Sequence, residues 1–329
     1  MNEENPVISV SNLRKRFNLE AGFFARLGRY VHAVNGVSLD IGRNETYGLV
    51  GESGCGKTTT ARLIVRMYAA DGGEITFRGR SGEDEDVRNL KGRDLKRYRE
   101  RVKYIFQDPA RSLNPRMTVY EVLSSGARWS SQWRTRAAKA VLREEAATIL
   151  EEVGLSAADL DRRPAEFSGG QRQRISIARG LLMKPDLLIC DEVVSALDVS
   201  IQGQILNLLL DLKSRRELSF LFIAHDLKVA CYFCDRIGVM YQGEIMEEAP
   251  AAEIWSHGLH PYTELLFSST GLGGKSPSPP HYQQVPQSMT PENAGCAFAA
   301  RCPYNQERCF TEKPELRTAG ERHLVRCWR

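Results

Sequence analysis

What this 329-residue chain lacks narrows its class first. No stretch approaches the roughly eighteen uninterrupted apolar residues of a membrane-crossing helix, so no span is predicted. The opening Met1-Asn2-Glu3-Glu4-Asn5-Pro6 has neither a basic segment nor an apolar core. It therefore predicts no secretory signal and a chain that stays on the cytosolic side. One-sided charge is also scarce: a net +4 over this length gives no argument for a nucleic-acid partner. There is no internal repeat. With 42% hydrophobic and 26% charged residues the composition is that of an ordinary soluble chain, long enough for two domains and a sizeable core. Eight cysteines in a reducing compartment point to free thiols or metal ligands rather than disulfides.

The chain is organised around Gly51-Glu52-Ser53-Gly54-Cys55-Gly56-Lys57-Thr58, which fits the phosphate-binding pattern G-x-x-x-x-G-K-[ST]. It follows the short apolar run Thr46–Val50 and leads into a helix-like stretch beginning Thr59-Thr60-Ala61, the strand–loop–helix setting the motif requires. Glycines let successive backbone N–H groups converge on one anion, and the helix start adds its positive end. Lys57 then reaches the β- and γ-phosphates, and the Thr58 hydroxyl takes a place on Mg²⁺. A nucleoside triphosphate ligand is expected.

In chain order, residues 7–17 alternate loosely as an opening strand and turn, and Val34, Val37, Leu39 and Ile41 alternate more cleanly as a second. Ala21–Tyr30 between them is an insertion. Asp71-Gly72-Gly73 is a turn before a short strand at Glu74–Phe77. Arg78–Arg101, dense in both charge signs, is expected to be a solvated loop and helix. Val102–Phe106 is a short strand, and Met117–Leu155 turns helical, with Leu142, Ala146, Ile149, Leu150 and Val153 on one face and Gly154 as C-cap. Trp129 and Trp133 are expected to pack. Leu187–Cys190 and Phe220–Ala224 read as buried strands separated by a helix from about Ile201 to Leu212. Strands alternating with helices imply a largely parallel sheet. Gly271–Gly295 carries five prolines and reads as a linker.

Asp191-Glu192 at the end of an apolar strand supplies the second half of such a site: Asp191 to hold Mg²⁺, Glu192 to act as general base on water. Ser168-Gly169-Gly170-Gln171 opens a helix upstream of it. Together with Gln107, Ser195-Ala196-Leu197-Asp198 and His225, these pieces resemble, in order and spacing, the nucleotide-binding subunit of an ABC transporter. The resemblance covers essentially the whole chain.

That resemblance implies an α/β fold of the P-loop NTPase, ABC type. Residues 1–270 would hold a mostly parallel sheet core, an antiparallel β subdomain and a helical subdomain at about 115–165. Residues 271–329 would form a Pro-rich linker and a small four-cysteine extension. Two subunits would sandwich two ATP molecules, the P-loop of one (Gly51, Glu52, Ser53, Gly54, Cys55, Gly56, Lys57, Thr58, Thr59) facing Ser168, Gly169, Gly170 and Gln171 of the other. It further implies that Gln107 contacts Mg²⁺ with Thr58 and Asp191, that His225 clamps the γ-phosphate, and that Asp198 touches the partner. An isolated histidine after a strand is ordinarily a surface or packing residue; only its place in this series promotes it. Phe17 looks like the aromatic that stacks on adenine, with Tyr30 as rival.

A narrower resemblance, to the oligopeptide/dipeptide importer class, rests on Gln107-Asp108-Pro109, Ser112–Thr118, Glu166–Arg174, Val194–Ser200, Leu259-His260-Pro261-Tyr262-Thr263, Gly295-Cys296 and Arg301-Cys302-Pro303. The Cys55 P-loop and the Ser195-Ala196 form suggest the second, "F-type" ATPase subunit. The implied partners are a second ATPase subunit in a heterodimer, two integral permease subunits and an extracytoplasmic solute-binding protein, with no nucleic acid. The implied place is the cytoplasmic face of the cell membrane. Three departures stand out. Val193 follows the glutamate, Cys231-Tyr232-Phe233-Cys234 replaces a plain helix and reads as packing, and the linker before Cys296 matches poorly. Alternatives are a soluble ABC ATPase acting on ribosomes or nucleic acid, and uptake of nickel, glutathione or opine-like solutes.

Cys296, Cys302, Cys309 and Cys327 are separated by five, six and seventeen residues in a tail too short for its own apolar core. Such a tail needs a cross-link to be ordered. Zinc sites usually carry a tight C-x₂₋₄-C pair, absent here, whereas iron–sulfur clusters accept more varied spacing. A metal centre is therefore expected, a [4Fe–4S] cluster ahead of zinc, with four plain thiols as the alternative to any metal. Arg301, Arg308 and Arg326 are expected to offset the charge of such a site.

Overall fold

The structure, a computed structural model, describes residues 6–18, 30–80, 82–127, 135–269 and 295–329. Trp129 and Trp133, nearly all of the Ala21–Tyr30 insertion and the Pro-rich stretch before Gly295 lie outside these. The chain divides into two compact units: Met1–Ile8, Ile41–Glu45 and Thr76–Leu221 form the first, and Ser9–Asp40, Thr46–Ile75 and Phe222–Arg329 the second.

The second unit carries β1 (Ile8–Asn18), β2 (Tyr30–Ile41), β3 (Thr46–Val50) and most of β4 (Gly72–Arg78). All five residues of β3 are buried, the signature of a strand covered on both faces. The first unit holds β5 (Asp84–Asp86), β6 (Val102–Ile105), β7 (Leu187–Asp191) and the start of β8 (Ser219–Ala224). Back in the second unit follow β9 (Arg236–Tyr241), β10 (Glu244–Pro250), β11 (Arg317–Gly320) and β12 (His323–Val325). There β3 pairs parallel with β9, from Tyr47 opposite Arg236 to Val50 opposite Val239. β9 and β10 turn back on each other through Gln242 and Gly243, both at positive φ (43° and 84°), as a two-residue hairpin of type I′ requires. β10 then pairs antiparallel with β12, and β12 with β11. The tail finds its order by adding to this sheet, not by building a core of its own.

In the first unit β6 and β7 pair parallel, Val102 opposite Leu187 through Ile105 opposite Cys190. Between them the chain is helical. Thr118 and Glu121 form a capping box at helix Val119–Ser124, and Thr135 caps helix Arg136–Glu152. Leu142, Ala146, Ile149 and Leu150 of the latter are buried, as their spacing predicts, and each leucine or isoleucine contributes about 1.5–3 kcal/mol. Gly154 takes φ +74° just past its end.

Three expectations need refining. The stretch Arg78–Arg101 is a mostly exposed loop and helix, as expected, but Tyr98 within it is fully buried edge-on against Phe77, with ring centroids 5.2 Å apart. Arg101 lies over Phe77 and forks to Glu85 at 2.7 Å and Asp186 at 2.9 Å, so paired charges here face inward. The helix expected from Ile201 begins at Val199 and runs to Arg216, because Asp198 takes the N-cap position. Of Cys231–Cys234, Phe233 and Cys234 pack as expected, but Tyr232 is 59% exposed.

Candidate functional site

The P-loop joins β3 to helix Lys57–Ile64. Gly56, the N-cap, sits at φ +111°, and a Cβ there would lie 2.1 Å from the Ala33 carbonyl oxygen. Gly51 is similarly pressed, its would-be Cβ 2.1 Å from the Met240 carbonyl. Only glycine lets the loop coil this tightly against β9. No side chain of the N-cap residue closes the helix start, whose positive end faces the loop. Lys57 is 4% exposed, and its Nζ donates to the loop's own carbonyls, Gly51 at 2.6 Å and Glu52 at 2.9 Å. Thr58 and Thr59 stand half-buried in the first turn, while Ser53 and Gly54 are exposed and Cys55 is buried.

Two exposed aromatics of the same unit are candidates for the base. Phe17 is 37% exposed and meets Tyr68 edge-on at 5.7 Å; Tyr30 is 43% exposed under the Arg16 guanidinium at 4.8 Å. His225 is exposed at the end of β8, before the helix Leu227–Phe233 that Asp226 caps.

In the first unit, Asp191 is 3% exposed at the end of β7 and receives the Tyr104 hydroxyl from β6. Tyr104 carries no motif; only the β6–β7 pairing reveals it. Glu192 follows at φ +48°, a left-handed turn that swings its carboxylate out of the strand. The Gln107 amide donates to that carboxylate at 2.6 Å. The Ser195 N–H and hydroxyl both donate to the Glu192 carbonyl, at 3.1 and 2.9 Å, closing the turn into Ser195–Asp198.

Ser168 caps helix Gly169–Leu181 in a reciprocal box with Gln171. A Cβ at Gly169 would meet only Leu197, at 3.9 Å, whereas one at Gly170 would meet Ile201 at 2.8 Å. Asp198 is exposed, and its neighbour Val199 is 84% exposed.

The four tail cysteines all line one cavity of about 200 Å³, with Phe298 and Trp328 among its other walls. Each thiol faces a backbone N–H: Phe298 at Cys296, Tyr304 at Cys302, Gln306 at Cys309 (3.4 Å) and Arg329 at Cys327 (3.5 Å). Burial pushes the Cys296 thiol up to about 11 and raises Cys302 as well. Among the described residues no three metal-binding side chains are placed to share one ion. The expected arginine neighbours are engaged elsewhere. Arg301 holds Glu52 (2.8 Å), Arg308 reaches the Trp328 carbonyl, and Arg326 donates to the carbonyls of Ile245 and Pro314. Backbone N–H groups, not guanidinium contacts, thus surround the sulfurs.

A second group was invisible to motif reading. Glu247 is fully buried and accepts from Leu259 N–H (2.7 Å), His260 N–H (2.9 Å), the Thr263 hydroxyl (2.5 Å) and His323 Nε2 (2.7 Å). The run Leu259–Thr263 drew notice as a class marker; its role here is to clasp a buried carboxylate.

Residues 34–195 match the family described as "ABC transporter", and residues 246–309 match "Oligopeptide/dipeptide transporter, C-terminal region". The chain is 40% identical over 329 residues to the oligopeptide transport ATP-binding protein AppF of Bacillus subtilis (strain 168), covering 98% of this chain and 97% of that protein. It is 46% identical over 274 residues to the dipeptide transport ATP-binding protein DppF of Lactococcus lactis subsp. cremoris (strain MG1363), covering 82% of each. Among solved structures, cbiO1 from Clostridium perfringens, part of the ABC transporter complex cbiONQ, aligns at TM-score 0.65 and 24% identity over 78% of this chain and 92% of that one. The ATP-binding cassette MJ0796 in a post-hydrolysis state with ADP and Pi aligns at 0.63 and 24%, over 74% and 98%. These two show a shared fold.

Proposed function

Because the chain belongs to the ABC transporter ATP-binding family and carries the C-terminal region of oligopeptide/dipeptide transporters, we propose that it hydrolyses ATP to energise an importer of peptides. ATP and Mg²⁺ are the ligands expected of such an ATPase. The observation that carries the hydrolytic reading is the 2.6 Å bond from Gln107 to Glu192, beside the buried Asp191. It joins the loop after β6 to the acid pair after β7.

In this reading Lys57 and the helix start would bind the triphosphate, and Thr58, Gln107 and Asp191 would hold Mg²⁺, which would supply charge neutralisation at the phosphate oxygens. Tyr104 donates to Asp191 and helps fix the carboxylate at the end of β7. Glu192 takes the proton of the attacking water, and Gln107 orients that carboxylate. His225, exposed after β8, contacts the γ-phosphate. The edge contact with Tyr68 supports Phe17 over Tyr30 as the adenine platform, since it ties Phe17 to the end of the P-loop helix segment.

The exposed Ser168–Gln171 turn serves the partner's nucleotide. Val199, almost wholly exposed on a helix start beside Asp198, fits a surface covered by a second subunit. That subunit is a related but different ATPase, and permease subunits and a solute-binding protein complete the importer. Among the described residues no helix is long and apolar enough to cross a membrane. In this proposal the chain docks on its permeases at the cytoplasmic face, as the importer class implies. The domain plan is an ATPase within 1–270, with its helical subdomain at about 115–165, and the extension in 271–329.

We also propose that Cys296, Cys302, Cys309 and Cys327 hold an iron–sulfur cluster. The four cysteines lack the tight C-x₂₋₄-C pair usual for zinc. Four sulfurs spread around a cavity of about 200 Å³, each with a backbone N–H, suit a larger group whose potential such hydrogen bonds tune. Anaerobic purification with metal analysis and a visible spectrum tests this. Iron and sulfide with absorption near the blue end are expected; stoichiometric zinc or no metal would overturn it.

The ATPase reading is tested with Glu192→Gln in the assembled transporter. ATP binding should persist while turnover falls about 10²–10⁴-fold. Near-normal hydrolysis would remove Glu192 as the base.

A further inference from the structure

We propose that Arg301, from the C-terminal extension, is a positioning residue for ATP that acts through Glu52 of the P-loop. The proposal rests on the reading that this loop binds ATP. Arg301 Nη1 and Nη2 donate to the two oxygens of the Glu52 carboxylate, each at 2.8 Å, the two-pronged geometry that fixes direction as well as distance. The guanidinium is itself held: it lies 5.6 Å from the Tyr241 ring and 5.5 Å from Phe298, and Nη1 also donates to the Tyr241 hydroxyl at 3.3 Å. Its Nε is buried with no hydrogen-bond partner among the described residues, so the fork, not full satisfaction of the arginine, sets the pose. The backbone of Glu52 is pinned separately, its N–H donating to the Tyr262 hydroxyl at 2.8 Å.

Both ends of one P-loop residue are thus tied to residues between Tyr241 and Arg301. Two consequences follow for a loop that must receive a polyanion. The paired Glu52 charge is cancelled, so it does not oppose the phosphates. The fork also commits the side chain to Arg301, while the Lys57 ammonium bonds the Glu52 carbonyl at 2.9 Å. A freed carboxylate could take Lys57 in place of phosphate. Lysine at 301 would keep the charge but not the fork.

The experiment uses the full chain, equilibrium titration with a fluorescent ATP analogue, and turnover in the assembled transporter. Arg301→Ala should weaken nucleotide binding and raise KM about tenfold, with kcat within about threefold of the parent. Arg301→Lys should recover part of the loss. Glu52→Gln combined with Arg301→Gln should recover most of it, because no unpaired carboxylate remains. If Arg301 merely stitches the extension down, Arg301→Ala lowers the melting temperature without changing affinity, or the double variant binds no better than the single; either result overturns the proposal. Should Arg301→Ala not fold, the Lys and double variants carry the same comparison. Lys57→Ala, run in parallel, separates the two levels: parent-like nucleotide binding by that variant refutes the P-loop reading itself.

Discussion

Replacing Glu247 by glutamine changes one atom and tests how the extension is held. Leu259 N–H and His323 Nε2 point at one carboxylate oxygen, His260 N–H and the Thr263 hydroxyl at the other. A glutamine has one acceptor oxygen, so whichever way the amide turns, one backbone N–H, of Leu259 or His260, faces its NH₂ group, while the Thr263 hydroxyl or His323 Nε2 beside it must turn from donor to acceptor. Every donor loses a charged acceptor, a bond of about 1.5–3 kcal/mol, and one buried N–H loses its partner altogether. The expected loss is about 3–6 kcal/mol, concentrated in the pairing of β10 with β12. His323→Ala should cost less, about 2–4 kcal/mol, because its second bond goes to Glu253, which is 42% exposed and screened. The assay is hydrogen exchange read segment by segment with a parallel urea melt. In Glu247→Gln, amides of residues 295–329 and of β10 should lose protection first, while β6 and β7 in the other unit keep theirs. Unchanged exchange in the extension would refute the claim that Glu247 anchors it.

Gly169→Asp should fold and leave ATP binding by the isolated chain intact, since a Cβ there meets only Leu197 at 3.9 Å; turnover in the assembled transporter should be lost. Abolished binding by the lone chain would contradict a site shared between subunits. Burial pushes His260 from 6.5 down to about 3, so the folded chain holds it neutral while the unfolded chain takes a proton below about pH 6.5. Stability should therefore fall as pH drops through that window, by about 1.4 kcal/mol per unit for this group alone, and His260→Asn should flatten the slope in melts between pH 6.5 and 5. Arg101→Met should cost about 1–3 kcal/mol, because Asp186 stays buried with one arginine fewer; an unchanged urea midpoint would show that Arg80, also on Asp186, suffices.

The parts legible in the sequence were those fixed by spacing. The P-loop, Asp191-Glu192 and Ser168–Gln171 each compress a local backbone requirement into a few residues, so their strand–turn–helix settings could be read directly. β10 could not, because Glu244, Glu247 and Glu248 interrupt any apolar alternation. They are buried all the same, because partners distant in sequence meet them: Asn35 and Lys313 at Glu244, His323 at Glu247, Tyr47 and Arg236 at Glu248. A pattern method sees three acids where the fold supplies six or more donors. Tyr104 was hidden for the same reason, and Arg301 drew notice for another role: each acquires its partner only from a carboxylate in another element. The charge run to Arg101 read correctly as solvated except at its end, where Arg101 meets Glu85 and Asp186 instead of water.

The pairing of β10 with β12 has a consequence in time. His323 lies 76 residues beyond Glu247. At about 5–20 residues per second of synthesis, β10 waits on the order of 4–15 s for the strand that will cover its edge and the imidazole that will meet its carboxylate. Throughout that interval the nascent sheet presents a raw edge, and its acid is held only by Leu259, His260 and Thr263, the last of them 16 residues on. The charge itself guards the edge, since a carboxylate still lacking its imidazole disfavours pairing with a stray strand until the proper one arrives. One glutamate therefore repels wrong neighbours while the chain is being made and becomes the most heavily bonded group of the join once it is finished.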